Sequence, residues 1–222
     1  MMRFGVLLVG LLLAEGVCSG QDRAELEADH NVRSEFATPH TAWAKPYVQG
    51  TTRVLFFING RGTVPREVIE LKQRFDLDPQ MVFWTRVVDT TREEWHGGEN
   101  GVRRMARLLT EKWDAFVFFG TSLEKVPVEQ QYTLIQAVAN GAGLMLVGTD
   151  DRRVLKDKNR LETLPPFLDD VAGAAAFTIL NGRGVRLPAS PNIEYRRGWE
   201  LEYDQWSMRV GKALLWAAGK QP

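Results

Sequence analysis

Four short segments of the chain are rich in consecutive apolar residues and alternate little with polar ones. Such runs are typical of strands buried on both faces, as in a parallel sheet whose two faces are covered by helices. We therefore predict four buried strands, at 54–58 (VLFFI), 81–88 (MVFWTRVV), 115–119 (AFVFF) and 144–147 (LMLV).

The segments between and after these runs repeat apolar residues every three or four positions, which places them on one face of a helix. The predicted helices are 63–75, 102–113, 128–139 and 203–218. The predicted inner face of 128–139 consists of Val128, Tyr132, Ile135 and Val138. The remaining predictions are a polar loop at 89–100, an excursion loop at 152–170, and short strands at 174–180 and 184–187.

Strands alternate with helices along the chain, which indicates right-handed crossovers between parallel strands. The predicted fold class is α/β: a flavodoxin-like, three-layer α/β/α domain with a mainly parallel sheet. We place this domain at 53–219. The preceding segment, 21–52, has no apolar period and is broken by prolines, so we interpret it as a polar linker or arm.

The first twenty residues have the parts of a secretory signal peptide. Arg3 precedes an apolar stretch at 5–14 (GVLLVGLLLA), and small residues follow it. Because the stretch is too short for a transmembrane helix, 1–20 predicts an exported protein, periplasmic or extracellular, without a transmembrane anchor. Two minor alternatives stay open: a buried N-terminal helix, and lipid anchoring through Cys18.

The balance of charged residues argues against nucleic acid as a partner. Lys plus Arg and Asp plus Glu number 28 each, so no net field favours nucleic acid, and none is predicted as a partner. Arg103, Arg104 and Arg107 follow one another along a predicted helix and are flanked by Glu99 and Glu111. We interpret them as a solvated helix face rather than a nucleic-acid patch.

Three stretches together carry a resemblance to a known superfamily. They are 54–75 (VLFFINGRGTVPREVIELKQRF), 114–151 (DAFVFFGTSLEKVPVEQQYTLIQAVANGAGLMLVGTDD) and 199–219 (WELEYDQWSMRVGKALLWAAG). They resemble the class I glutamine amidotransferase-like superfamily, and more closely its non-amidotransferase branches, the ThuA-like proteins and the middle domain of some β-galactosidases. The resemblance covers nearly all of the predicted domain and implies the same α/β fold.

The same resemblance shows where the chain departs from active amidotransferases. In those enzymes the strand after the VANGAG-like helix end leads into a G-x-C-x-G elbow, whose Cys is activated by a later His. Here that stretch is 147–151 (VGTDD), with Thr149 or Asp150 in place of the Cys. The three histidines, His30, His40 and His96, all precede it. We therefore predict no catalytic residues for amidotransferase chemistry.

Polar residues follow the first, third and fourth predicted strands, where the carboxyl edge of an open α/β sheet binds ligands. The candidate ligand-binding residues are Asn59, Arg61, Thr121, Thr149 and Asp150. Together these groups donate and accept the hydrogen bonds that a sugar or another small molecule requires. The alternative is that they are ordinary turn and cap residues. No cofactor and no metal is predicted.

The loop after the second strand carries a second candidate. His96 stands near Glu93, Glu94 and Glu99 and could form a metal or acid–base cluster with them, although the spacing matches no metal motif. The alternative is a solvated loop histidine. Trp95 beside it is a candidate for stacking on a sugar.

Two functions are compatible with these observations. The first is an exported, non-catalytic amidotransferase-like domain that acts as a binding or assembly module, with a protein partner or further domains. The second, implied by the resemblance to ThuA-like proteins and β-galactosidase middle domains, is a carbohydrate-processing or sugar-binding protein.

Overall fold

One mixed sheet forms the centre of the domain in the computed structural model, which describes residues 50–60, 66–149, 151, 159–189 and 199–220. The strands within these ranges are β1 (Thr52–Asn59), β2 (Leu77–Arg86), β3 (Glu93–Trp95), β4 (Ala115–Phe119), β5 (Gly143–Val147), β6 (Ala175–Ile179) and β7 (Gly182–Leu187). Their order across the sheet is β3-β2-β1-β4-β5-β7-β6.

The five inner strands are parallel, and the two edge strands, β3 and β6, are antiparallel to their neighbours. Taken alone, the parallel strands run second, first, third, fourth and fifth across the sheet, which is the flavodoxin-like order. The predicted fold class, a flavodoxin-like α/β/α domain with a mainly parallel sheet, is confirmed.

Helices cover both faces of the sheet. Those within the described ranges are α1 (Arg66–Arg74), α2 (Gly98–Leu108), α3 (Val128–Ala139) and α4 (Trp199–Ala217). Short 3₁₀ turns also occur at Leu123–Lys125 and Pro166–Leu168. One core joins α1 and α4 to one face of the sheet, and a second joins α2 and α3 to the other.

Successive residues of β1, β4 and β5 enter opposite cores, as the pleat requires. In β1, Phe56 packs towards α1 and α4, whereas Phe57 packs towards α2 and α3 and stacks on Phe118 with ring centroids 4.4 Å apart. This double burial explains why the strand sequences are apolar without alternation.

Three predicted boundaries differ from the structure around β2. The strand begins four residues before the predicted start at 81, through Asp78 and Pro79. Proline is accommodated because, among the described residues, the pairing of β2 with the β3 hairpin starts only at Phe83, four residues after Pro79. The predicted polar loop at 89–100 contains β3, and α2 begins four residues before the predicted start at 102.

The predicted inner face of α3 is partly wrong. Val128 and Tyr132 are 78% and 73% exposed, whereas Leu134 and Val138 are fully buried. The first turn of α3 stands away from the sheet because Leu123 and Val126, in the segment that precedes it, fill the core beneath.

The turn between β6 and β7 stores backbone strain at Leu180, which has φ +51° and an 83% exposed side chain. The left-handed conformation costs an L-residue roughly 1–2 kcal/mol, less for asparagine. We predict that Leu180→Asn raises the free energy of unfolding by about 1 kcal/mol in urea denaturation, since no buried contact is lost. Leu180→Ala, which keeps the strain, is expected to change it little; a loss of stability in Leu180→Asn would contradict this account.

Candidate functional site

The loops after β1 and β4 leave neighbouring parallel strands in opposite directions. The chain after β1 continues into α1 on one face, and the chain after β4 continues into α3 on the other. This divergence, at the carboxyl ends of the strands, is a topological switch point, and open α/β sheets typically bind ligands in a crevice at such a point. We call this position the crevice.

Asn59 and Gly120 lie side by side at this position. Ile58 pairs with Phe119 in the sheet register, so Asn59 and Gly120 are the next residues beyond the pair. Asn59 is exposed, and a Cβ built on Gly120 would lie 3.5 Å from the Asn59 Cβ. Gly120 has φ +62°, which favours glycine and leaves the backbone bare beside the asparagine amide.

Thr121, the next residue, is 5% exposed, and its Oγ1 has no hydrogen-bond partner among the described residues. A buried hydroxyl without a partner costs about 1–3 kcal/mol, so such a group is unusual in a folded protein. The structure therefore places a hydrogen-bonding group that the rest of the described chain does not use at the end of the strand beside the crevice.

Thr149 follows β5 and is half-buried; by register it lies level with Thr121 on the neighbouring strand. Asp151 is only 2% exposed, and its Oδ2 accepts a hydrogen bond of 2.8 Å from the backbone N–H of Leu123. This carboxylate therefore connects the loops after β4 and β5. It acts as a cap of the Leu123–Lys125 turn.

Of the five predicted site residues, the structure brings Asn59, Thr121 and Thr149 to the ends of three adjacent parallel strands. Arg61 and Asp150 lie outside the described residues. The assignment of the five residues to one ligand site stays a prediction.

A separate cavity of about 390 Å³ lies beside the hairpin of β2 and β3. Its lining combines polar and apolar residues: Thr85, Arg86, Val87, Val88, Asp89, Glu94, His96 and Gly97. We call it the hairpin cavity. His96 extends the pairing of the hairpin, because its backbone N–H donates to the Phe83 carbonyl at 2.8 Å.

The four residues of the predicted His96 cluster are divided by the hairpin. Glu94 and His96 line the cavity together, whereas Glu93 accepts a hydrogen bond from Trp84 Nε1 at 3.1 Å, and Glu99 pairs with Arg103 on the exposed side of α2. Within the described ranges no group of three or more His, Cys, Asp or Glu is arranged to hold a metal ion.

Two further residues have roles that the sequence did not indicate. Trp95 is 4% exposed, and its Nε1 donates to the Lys125 carbonyl, so it belongs to the core and offers no sugar-stacking surface. Arg104 is 5% exposed and donates to the Met81 carbonyl and to Gln80 Oε1, which corrects the prediction of a solvated basic face at this position.

Thr85, in the hairpin cavity, was not a predicted site residue, because one threonine in a strand gives no signal.

Comparison with known proteins adds little to this picture. No protein-family model matches the chain, and no curated protein matches it. A solved structure that is similar to it is a cytoplasmic protein from Salmonella typhimurium LT2, with 11% sequence identity and a TM-score of 0.46; the match covers 75% of this chain and 99% of that one. A similarity at this level carries no argument about function, and the resemblance to amidotransferase-like proteins stays a prediction.

The prediction of an exported protein, periplasmic or extracellular, is corrected by this comparison, because the similar protein is described as cytoplasmic. We do not retain export and assign no other compartment. The signal peptide predicted at 1–20 and most of the arm predicted at 21–52 lie outside the described residues. Among the helices that are described, none is long and apolar enough to cross a membrane.

Proposed function

We propose that this chain is a non-catalytic, glutamine amidotransferase-like domain that binds a small polar ligand at the carboxyl edge of its sheet. The observation that carries the proposal is the divergence of the connections after β1 and β4, at the switch point of a flavodoxin-like strand order. The exposed amide of Asn59 and the bare backbone of Gly120 meet there, and Thr121 follows directly.

The residues at the end of β5 support the non-catalytic part of the proposal. An amidotransferase needs a cysteine nucleophile at this point and a histidine that activates it. The chain has Thr149 and Asp150 there, its single cysteine is Cys18, and no histidine follows β5 in the sequence. A threonine hydroxyl is a weak nucleophile unless a base activates it, and the histidine that does so in amidotransferases is missing here. Binding is therefore the better account of this edge of the sheet.

The unpartnered hydroxyl of Thr121 gives a prediction with a matched control. Thr52, at the opposite end of the sheet, is also fully buried, and its Oγ1 likewise lacks a partner among the described residues. Because both variants remove a buried unpaired hydroxyl, Thr121→Val and Thr52→Val should each raise the melting temperature by about 2–4 °C, equivalent to ~1 kcal/mol. If Thr121 also holds ligand, only Thr121→Val weakens binding.

A thermal-shift screen of the full chain tests binding directly. The panel contains sugars, sugar phosphates, nucleotides and divalent metals. A ligand present at ~100 times its dissociation constant adds roughly 2.7 kcal/mol to the stability of the folded state, a rise of about 5–10 °C. We expect such a shift for at least one compound, retained in Thr52→Val and reduced in Asn59→Ala and Thr121→Val. A shift that survives both edge variants would place the ligand elsewhere.

Amide hydrolysis is the direct test of the non-catalytic claim. Incubated with glutamine, the protein is expected to release no ammonia above the rate in buffer. Ammonia release that is abolished by Asp150→Ala would contradict the proposal, because it would show that the elbow position carries a working catalytic group.

A further inference from the structure

The hairpin cavity has the size of a small-molecule site. Its volume of about 390 Å³ falls within the range of roughly 300–1,000 Å³ that ligand pockets occupy. It shares no lining residue with the crevice between β1 and β4, since it is formed by residues 85–89 and 94–97. The class of ligand that the hairpin cavity binds can therefore be inferred independently of the function proposed for the crevice.

Three polar side chains of this hairpin line the cavity. Thr85 and Glu94 are directly paired across β2 and β3, and paired residues project from the same face of a sheet. His96 follows β3 directly and lines the same cavity as Thr85 and Glu94. The hydroxyl, the carboxylate and the imidazole are therefore neighbours in the wall of the cavity.

The formal charges around the cavity cancel. Glu94 is already paired with Arg92, whose Nη2 lies 3.1 Å from Glu94 Oε2. The other two charged lining residues, Arg86 and Asp89, have opposite signs. An anionic ligand would meet two carboxylates, and a cationic ligand would compete with Arg92 and meet Arg86, so the lining favours an uncharged molecule.

The hydrogen-bonding groups narrow the ligand class further. A carboxylate only accepts hydrogen bonds, a threonine hydroxyl donates and accepts them, and an imidazole offers at least one N–H donor. A hydroxyl group is the uncharged counterpart that matches all three, since it donates to the carboxylate, accepts from the imidazole and exchanges either kind of bond with the threonine. We propose that the hairpin cavity binds a small uncharged molecule with several hydroxyl groups, held by Thr85, Glu94 and His96.

Titration calorimetry on the full chain tests this inference. The uncharged probes are glucose, maltose and sorbitol, and gluconate and glucosamine are the charged counterparts of glucose. We expect at least one uncharged probe to bind, and both charged counterparts to bind at least about tenfold more weakly than glucose if glucose is the probe bound. Glu94→Gln, His96→Gln and Thr85→Val should each weaken binding about tenfold or more, since each removes or alters one hydrogen bond to the ligand.

Glu93→Gln is the matched control, because Glu93 is the adjacent residue on the same strand but bonds to Trp84 Nε1 on the other face. It is expected to leave the affinity within about twofold of the parent. Binding of none of the three uncharged probes, tighter binding of gluconate or glucosamine, or equal losses in Glu93→Gln and Glu94→Gln would overturn the inference. Binding that is lost in Asn59→Ala but kept in Glu94→Gln would overturn it too and assign the ligand to the crevice. Circular dichroism of each variant verifies that a lost affinity is not lost folding.

Discussion

Gly182→Ala is expected to destabilise the domain by about 3 kcal/mol or more, which at this size lowers the melting temperature by roughly 6–12 °C. Gly182 begins β7 where the strand passes under the end of α3. A Cβ at this position would lie 2.1 Å from the Val138 carbonyl oxygen and 2.7 Å from that of Ala142. Both atoms belong to the backbone, so no side-chain rotation relieves the clash, and α3 must move away from the sheet.

Gly60→Ala is the control for this prediction. Neither glycine has a positive φ, and of the described atoms a Cβ on Gly60 would meet only the Ile58 Cγ2, at an ordinary 3.7 Å. Alanine at such a site is expected to leave stability unchanged or raise it by a few tenths of a kcal/mol, through the unfolded chain. Thermal melts and urea titrations measure both variants. Equal stability of Gly182→Ala and Gly60→Ala would show that the packing of β7 against α3 is wrong.

Arg74→Ala is expected to cost about 3–5 kcal/mol of unfolding free energy, because it leaves a carboxylate buried without its cation. Arg74 and Glu70, one turn apart on α1, are 2% and 1% exposed. The guanidinium donates to the Glu70 carboxylate, to the Glu70 carbonyl at 3.1 Å, and to the carboxylate of Asp204 on α4. It therefore holds α1 against α4 as well as neutralising Glu70.

Two further variants show whether the cost of Arg74→Ala comes from burial of the charges or from the ion pair itself. The pair of Arg103 and Glu99 has the same spacing on α2, but its side chains are 69% and 85% exposed, so Arg103→Ala is expected to cost less than about 0.5 kcal/mol. The double variant Arg74→Met, Glu70→Met removes both charges of this buried pair and should recover most of the loss. Urea denaturation gives all three values. A cost below about 1 kcal/mol for Arg74→Ala would contradict the buried arrangement.

The central strands β1, β4 and β5 were predictable because burial on both faces leaves an unbroken apolar run. The predicted strand at 115–119 matches β4 residue for residue, and 144–147 lacks only Gly143 of β5. The edge was not predictable in the same way. β3 is three residues long and mostly polar, so it has no apolar run or alternation long enough to recognise.

The face of a helix was harder to predict than its extent. The ends of α3 match the prediction at 128–139, yet Val128 and Tyr132 point into solvent. Helical spacing selects a stripe of apolar residues, but it does not show that Leu123 and Val126 of the preceding segment already fill the core. The packing of this neighbouring segment therefore determines which face of α3 is buried.

The candidate site was predictable at the level of the sheet edge and no further. Parallel strands bring their carboxyl ends to one edge, so residue types alone placed Asn59, Thr121 and Thr149 there. Which side chain is exposed, which is buried without a partner, and which serves as a cap depend on loop geometry that the sequence does not encode locally. Asp151, the buried cap of the Leu123–Lys125 turn, illustrates this.

Backbone amide chemical shifts, recorded by NMR during titration with the strongest compound from the thermal-shift screen, test the central claim most directly. If the ligand binds the crevice at the switch point, the amides of Asn59, Gly60, Gly120 and Thr121 are expected to shift most. The amides of Arg53 and Asp114, at the opposite edge of the sheet, should stay unchanged. Shifts that cluster at the opposite edge, or on the outer faces of the helices, would contradict binding at the carboxyl edge.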